Sequence, residues 1–298
     1  MDGWLDRAEW FVWLTGRILE QHRFAYHFLG GSAEAVEAAL FAFACPAGGF
    51  GYALEPDLRG PAPEPLSTAL ALRLLEEVGR CGERDTTALL AHLERTSTPD
   101  GGLPARNPQP GNYPAAAAVP PIADPPGSLQ STGPVVGVLR ASGVRHPWLD
   151  KATEFCWTAI DSVEPTDPYV IEAAVAFLDR AEDRDRARAA ANRLGDQVRG
   201  RRLAVLDPAD ADAYPLPAGF PPGLHFYPYD FAHTPDSLAA EWFTGEEMDR
   251  SLDHLRSRQL ADGGWAMRFP EWAPGTALEW RPILTIEALL TLRAYGRL

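Results

Sequence analysis

The sequence predicts an all-α fold, an α/α barrel (toroid) of about five to six helix-hairpin repeats, and three observations carry that reading. A glycine pair followed by an apolar residue recurs as Gly48-Gly49-Phe50, Gly101-Gly102-Leu103 and Gly263-Gly264-Trp265, at offsets of 53 and 162 residues. Those offsets fit one and three periods of roughly 54 residues, slightly longer than usual two-helix repeats. Stretches with helical apolar spacing then alternate between two kinds, one apolar on a single face and one apolar nearly all round. Finally, the connections alternate between long and short.

From the N-terminus, residues 4–28 form one aromatic-rich helical stretch, a candidate sixth inner element able to close the ring. Residues 33–45, 86–97, 151–163, 184–198 and 246–260 carry charges on one face and read as outer helices. Residues 65–78, 129–141, 168–181, 235–243 and 282–295 are apolar on more sides and read as inner helices. Most of the inner set open on proline, whose missing N–H costs nothing in a first helical turn. The period places degenerate copies of the glycine motif near positions 155 and 209.

Connections from inner to outer helices are short (79–85, 142–150, 182–183), whereas those from outer to inner are long and rich in Pro and Gly (46–64, 98–128, 199–234, 261–281). In an alternating barrel the long loops gather at one end, beside the inner-helix N-termini. That end is the expected mouth, because long loops on a rigid scaffold carry sites and the helix N-termini favour anions.

Composition sets the outer bounds. The 298 residues read as a single domain, 1–298, with 46% hydrophobic content to fill a core. A net charge of −14 argues against nucleic acid and anionic membranes as partners. No apolar run reaches the roughly 18 to 20 residues of a membrane span, and the start, Met1-Asp2-Gly3-Trp4-Leu5-Asp6, lacks a basic leader, so a cytoplasmic location is expected. Cys45, Cys81 and Cys156 have no CxxC spacing and suit reduced, buried thiols; neither a metal nor another cofactor is expected.

Three groups in the long loops could carry chemistry. Tyr52, Glu55, Asp57 and Arg59 follow the first glycine pair. Here two readings stay open: Arg59 fastens the loop through an ion pair, or the carboxyls supply an acid, a base or a cation site. Glu279, Trp280 and Arg281 occupy the matching place before the last inner helix, with Glu279 either a cap or a functional acid. Glu287 lies on the otherwise apolar stretch 283–292 and must be paired or cavity-facing. The third group, in 207–236, mixes Asp210, Asp212 and Asp230 with Tyr214, Phe226, Tyr227, Tyr229, His225 and His233. Its rings and carboxyls suit a cavity lid that stabilises a cation or stacks on a sugar, while Asp236 reads as a first-turn helix residue. His22 and His27, on the aromatic N-terminal stretch, are set aside as packing or surface residues.

The run 251–265, from Ser251 through Gln259 to Asp262-Gly263-Gly264-Trp265, resembles the Gln-Trp repeat of squalene and oxidosqualene cyclases. The Gly-Gly-aromatic pattern followed by Thr68-Ala69-Leu70-Ala71-Leu72 is also similar to protein prenyltransferase β-subunits. The resemblance implies an α/α toroid in which Gln259 ties its helix to a neighbouring helix end and Trp265 packs over it, both structural. The cyclase acid motif Asp-x-Asp-Asp-Thr-Ala is absent: the corresponding stretch reads Glu64-Pro65-Leu66-Ser67-Thr68-Ala69, and Asp210-Ala211-Asp212-Ala213 is one carboxylate short. The prenyltransferase zinc set and a DDxxD motif are absent as well.

The expected function is therefore a terpenoid cyclase-like enzyme, an isomerase or lyase, acting on a hydrophobic isoprenoid in an apolar cavity by acid-initiated carbocation chemistry. Glu55, Asp57, Glu279, Asp210 and Asp212 are the candidate catalytic carboxyls, and Arg59, Arg281, Trp280, Tyr52, Phe226, Tyr227 and His233 the candidate substrate contacts. Two alternatives stand beside it. A carbohydrate-active barrel would pair acids such as Asp57 and Glu279, and a noncatalytic protein would hold the isoprenoid without turning it over.

Overall fold

The computed structural model describes residues 3–83, 85–108, 113–164 and 166–298. The Met1-Asp2 start and residues 109–112 of the predicted loop 98–128 lie outside them. Among the described residues the chain is all-helical, with isolated bridges and no strand. Its α-helices are α1 (Trp4–Thr15), α2 (Ile18–Phe28), α3 (Ala33–Leu40), α4 (Pro65–Glu77), α5 (Thr87–Thr96), α6 (Leu129–Ala141), α7 (Pro147–Ser162), α8 (Pro168–Leu178), α9 (Arg184–Gly200), α10 (Pro228–Phe231), α11 (Gly245–Ser257) and α12 (Thr276–Ala294). Short 3-10 turns follow α3, precede α5 and occupy Pro208–Ala213 and Leu238–Trp242.

The chain divides into two compact units. One comprises Met1–Gly31, Glu164–Val175 and Asp185–Leu298; the other comprises Ser32–Val163 and Ala176–Arg184. In the second unit α4 packs along α6, and α7 packs against α5 and α6. Arg180 holds Glu76 through Nε and Nη2, at 2.9 and 2.6 Å, fastening the end of α4. In the first unit α1, α2 and α11 all pack against α12, so the start of the chain is docked on its last repeat.

Each glycine pair builds the same turn. The N–H groups of Cys45, Thr98 and Leu260 donate to the carbonyls of Gly49, Gly102 and Gly264 at 3.0, 2.8 and 2.8 Å. The next residues, Phe50, Leu103 and Trp265, then donate their N–H to the hydroxyls of Thr68, Thr132 and Thr285, 18, 29 and 20 residues onward. Each threonine hydroxyl donates back to the carbonyl four residues before it on its own helix. The threonine thus satisfies a buried N–H that would otherwise cost about 1–3 kcal/mol, and it ties the turn after one helix to the first turn of α4 or α6, or to the middle of α12.

Four expectations are corrected. The stretch 4–28 is two helices, because Gly16 turns extended (φ −68°, ψ 143°) and a side chain there would meet the Val12 carbonyl at 2.7 Å. The inner helix expected at 235–243 is replaced by α10 and the 3-10 turn Leu238–Trp242. Ala232 leaves the helical region at ψ 84°, Pro235 disfavours helix before it, and Ser237 caps a new turn through Ala239 N–H, so Asp236 lies in a turn. The last inner helix begins at Thr276, so Leu278–Arg281 are helical and Pro282 lies inside α12. Finally, position 155 falls within α7 and 209 within a 3-10 turn, so the glycine motif has no copy at either place.

Candidate functional site

Within the first unit, α8 opens on Pro168, with Asp167 Oδ1 accepting the Tyr169 N–H at 2.9 Å. One turn further along this apolar helix sits Glu172. Among the described residues its side chain makes no hydrogen bond or ion pair. Part of its surface remains accessible, yet burial pushes its carboxyl well above the usual range. Asp230 pushes the carboxyl further up, outweighing Arg268, and Glu287 and Asp167 add to the rise. Burial and the neighbouring carboxylates thus both favour its protonated form.

The flanking groups are fixed by their own bonds. Asp230 lies on α10, 7% exposed, and its Oδ2 accepts the Tyr227 N–H at 2.8 Å. Arg268, three residues beyond Trp265, forks onto Asp230 at 3.0 Å (Nη1–Oδ2) and 2.5 Å (Nη2–Oδ1). It also donates to the His225 carbonyl at 2.6 Å. Burial works against the charge on Arg268, but Asp230 reverses this and holds the guanidinium above its ordinary range. Glu287 on α12 keeps 29% of its side chain accessible and lies 3.9 Å from Arg23, which is 2% exposed.

Aromatic rings complete the wall. Tyr169 stacks on Phe220 at 5.8 Å and meets Phe226 edge-on at 5.2 Å. The Arg268 guanidinium stands over Phe226 and Tyr229, at 5.6 and 5.9 Å. Tyr229 stacks on Tyr227 at 5.5 Å, and Tyr227 lies against the His254 ring at 4.4 Å. Burial pushes the Tyr169, Tyr227 and Tyr229 phenols above their ordinary range and the His254 imidazole below its own.

The sequence-derived candidates distribute as follows. Phe226 and Tyr227 belong to this wall. His233, Asp210 and Asp212 are exposed, the last two on a 3-10 turn capped by Asp207. Glu279 is half-buried in the first turn of α12, and Trp280 packs edge-on against Phe269 at 5.2 Å. Arg281 is engaged within the last repeat, donating to the Trp265 carbonyl at 3.1 Å and to Asp262 at 2.7 Å, with Phe11 under its guanidinium at 4.5 Å.

Tyr52, Glu55, Asp57 and Arg59 lie in the second unit. Tyr52 is 45% exposed at φ 54°, and the others are half-buried in a loop pinned by the bonds Arg59 N–H to Pro114 O and Ala116 N–H to Asp57 O. A surface groove of about 420 Å³ in that unit, bordered by Leu90, Glu94, Arg145 and His146, touches none of the candidates.

Glu172 and Arg268 escape the motif reading. The signal for Glu172 was present: it is the only charge in Pro168–Leu178, the same pattern that singles out Glu287.

The described residues contain no cluster of three or more His, Cys, Asp or Glu side chains placed to hold a metal, and no helix long and apolar enough to cross a membrane. No family model and no curated protein matches the chain. Among solved structures it is similar to a type II terpene cyclase from Scytonema in complex with geranylgeranyl dihydroxybenzoate as substrate, at 14% identity and a TM-score of 0.43, covering 99% of this chain and 88% of that one.

Proposed function

We propose that the chain is an acid-initiated cyclase of isoprenoid-like hydrocarbons, with Glu172 as the proton donor. The observation that carries this reading is a carboxyl raised well above its usual range on the helix that carries Tyr169, electrostatically coupled to Asp230 and to the Arg268 that Asp230 holds. Glu172 gives its proton to one carbon of an alkene. The π pair forms the new C–H bond and leaves a carbocation on the neighbouring carbon, which the next alkene attacks to close a ring. A final C–H loss returns a proton to the carboxylate and restores the acid.

A raised pKa favours the protonated acid but makes it a weaker donor. In this reading a cation–π contact with the aromatic residues near Glu172, such as Tyr169, worth about 0.5 to 2 kcal/mol, offsets part of that weakness. The reading makes this an isomerase or lyase without a cofactor, acting on a hydrophobic ligand within an all-helical fold.

The test is product analysis after incubation with linear isoprenoids of several lengths. Cyclised product from the parent, lost in Glu172→Gln with the fold intact, supports the reading. Glu55→Gln, Asp57→Asn and Glu279→Gln serve as comparisons. Loss in one of these, with Glu172→Gln active, moves the acid to that residue. No product from any isoprenoid ends the cyclase reading.

A further inference from the structure

The second unit carries an elongated surface groove along α5. Two adjoining hollows, of about 420 and 320 Å³, meet at Glu94; Leu90 and Arg145 border the first, Trp148 and Lys151 the second. The lining runs along α5 from Thr86 to Ser97, so at about 1.5 Å per residue the groove is roughly 16 Å long. Three charges therefore line it in the order Arg145, Glu94, Lys151. Among the described residues none of these three side chains makes a hydrogen bond or ion pair. The charged groups around them are engaged or stand outside. Asp85 accepts the Thr87 N–H, Asp100 the Thr98 hydroxyl and Asp150 the Arg140 guanidinium, while Arg95 donates to the Ala47 and Ala91 carbonyls. Glu154, the next acid on α7, lines neither hollow. Trp148, 2% exposed, keeps its Nε1–H buried with no acceptor among the described residues, a deficit of the kind that a bound acceptor relieves.

We propose that this groove docks an extended segment of a protein partner carrying an acid, a base and an acid at alternate positions. Alternate side chains of an extended chain share one face, and a rise of about 3.3 Å per residue sets the first and fifth roughly 13 Å apart, within the length of the groove. The first acid then meets Arg145, the base meets Glu94 and the second acid meets Lys151. A segment of the opposite pattern would set like charges together at all three places. A small carboxylate would answer one cation and leave Glu94 and the other cation as they are.

Lys151 is the only lysine in the sequence, so the full chain labelled with carbon-13 lysine gives a single side-chain signal placed in the groove. The probes, titrated by NMR at low salt, are the capped peptide Glu-Val-Arg-Val-Glu, its charge-reversed form Arg-Val-Glu-Val-Arg, the all-acid form Glu-Val-Glu-Val-Glu, and glutarate. The first peptide should move the Lys151 signal saturably and bind at least fivefold more tightly than the charge-reversed form. Arg145→Gln should loosen it about two- to fivefold, the range of one exposed ion pair. Glu94→Arg should turn the preference from the central arginine to the central glutamate. Both replaced side chains are exposed, so the fold is expected to stand. A Lys151 signal that no peptide moves overturns the proposal, as does equal binding of the charge-reversed peptide or an unchanged preference in Glu94→Arg. Glutarate binding as tightly as the first peptide also overturns it, in favour of a small-carboxylate site.

Discussion

Gln259 Nε2 donates to the backbone carbonyl of Trp4, 255 residues earlier, at 2.7 Å, and to the Gly263 carbonyl at 2.9 Å. Its Oε1 accepts from Arg7 at 2.8 Å, so one side chain joins the last glycine turn to the first helix. Trp265 closes the arrangement by donating Nε1–H to the Leu255 carbonyl at 2.8 Å, 4% exposed. Trp265→Ala is expected to cost about 3 to 5 kcal/mol. Gln259→Ala is expected to cost about 1 kcal/mol per lost bond. Denaturant melts of both variants check this, and a parent-like midpoint for either would remove its structural role.

Gly263 holds φ 92°, and a Cβ there would lie 2.1 Å from the Arg7 carbonyl oxygen. Gly263→Ala should therefore combine left-handed strain of about 1–3 kcal/mol with separation of α1 from the last turn. Gly79, at φ 72° with open space around it, provides the control. Gly79→Ala should show the strain alone. Equal losses for the two variants would mean that close approach contributes nothing.

His92 is 4% exposed beneath the first glycine turn, and burial followed by the Arg95 charge lowers its pKa from 6.5 to about 4. Between these values the unfolded chain binds the proton and the native chain does not, so stability rises with pH. Acidification from pH 6.5 towards 4 is expected to destabilise the parent, and His92→Gln to flatten that part of the profile. Equal slopes in the two proteins would contradict the buried neutral imidazole.

The repeat was legible because its signals are local. The limits of α6 agree with the apolar stretch at 129–141, and the roles of Gln259 and Trp265 follow from the motif they resemble. The missing fourth inner helix was not legible, since the apolar stretch around Leu238 and Trp242 has helical spacing, whereas Ser237 caps only a short 3-10 turn there. Phe226 and Tyr227 were found by their aromatic setting. Glu172 lacks the clustering that marks the loop carboxyls, being a single charge on an apolar helix. Arg268 carries no pattern at all, and only the turn after Trp265 brings it to Asp230.

The most direct test is the protonation state of Glu172 at neutral pH, read by infrared difference spectroscopy between the parent and Glu172→Gln. A protonated-carboxyl C=O band at pH 7, absent from the variant and shifted in heavy water, is the expected result. Titration should remove the band only as the pH climbs well above 4.5, the ordinary value for the group. With the native pKa above the unfolded one, the native chain binds the extra proton in that window, so parent stability should fall with rising pH relative to Glu172→Gln. A parent spectrum without that band at pH 7 would show Glu172 ionised and contradict its assignment as the acid.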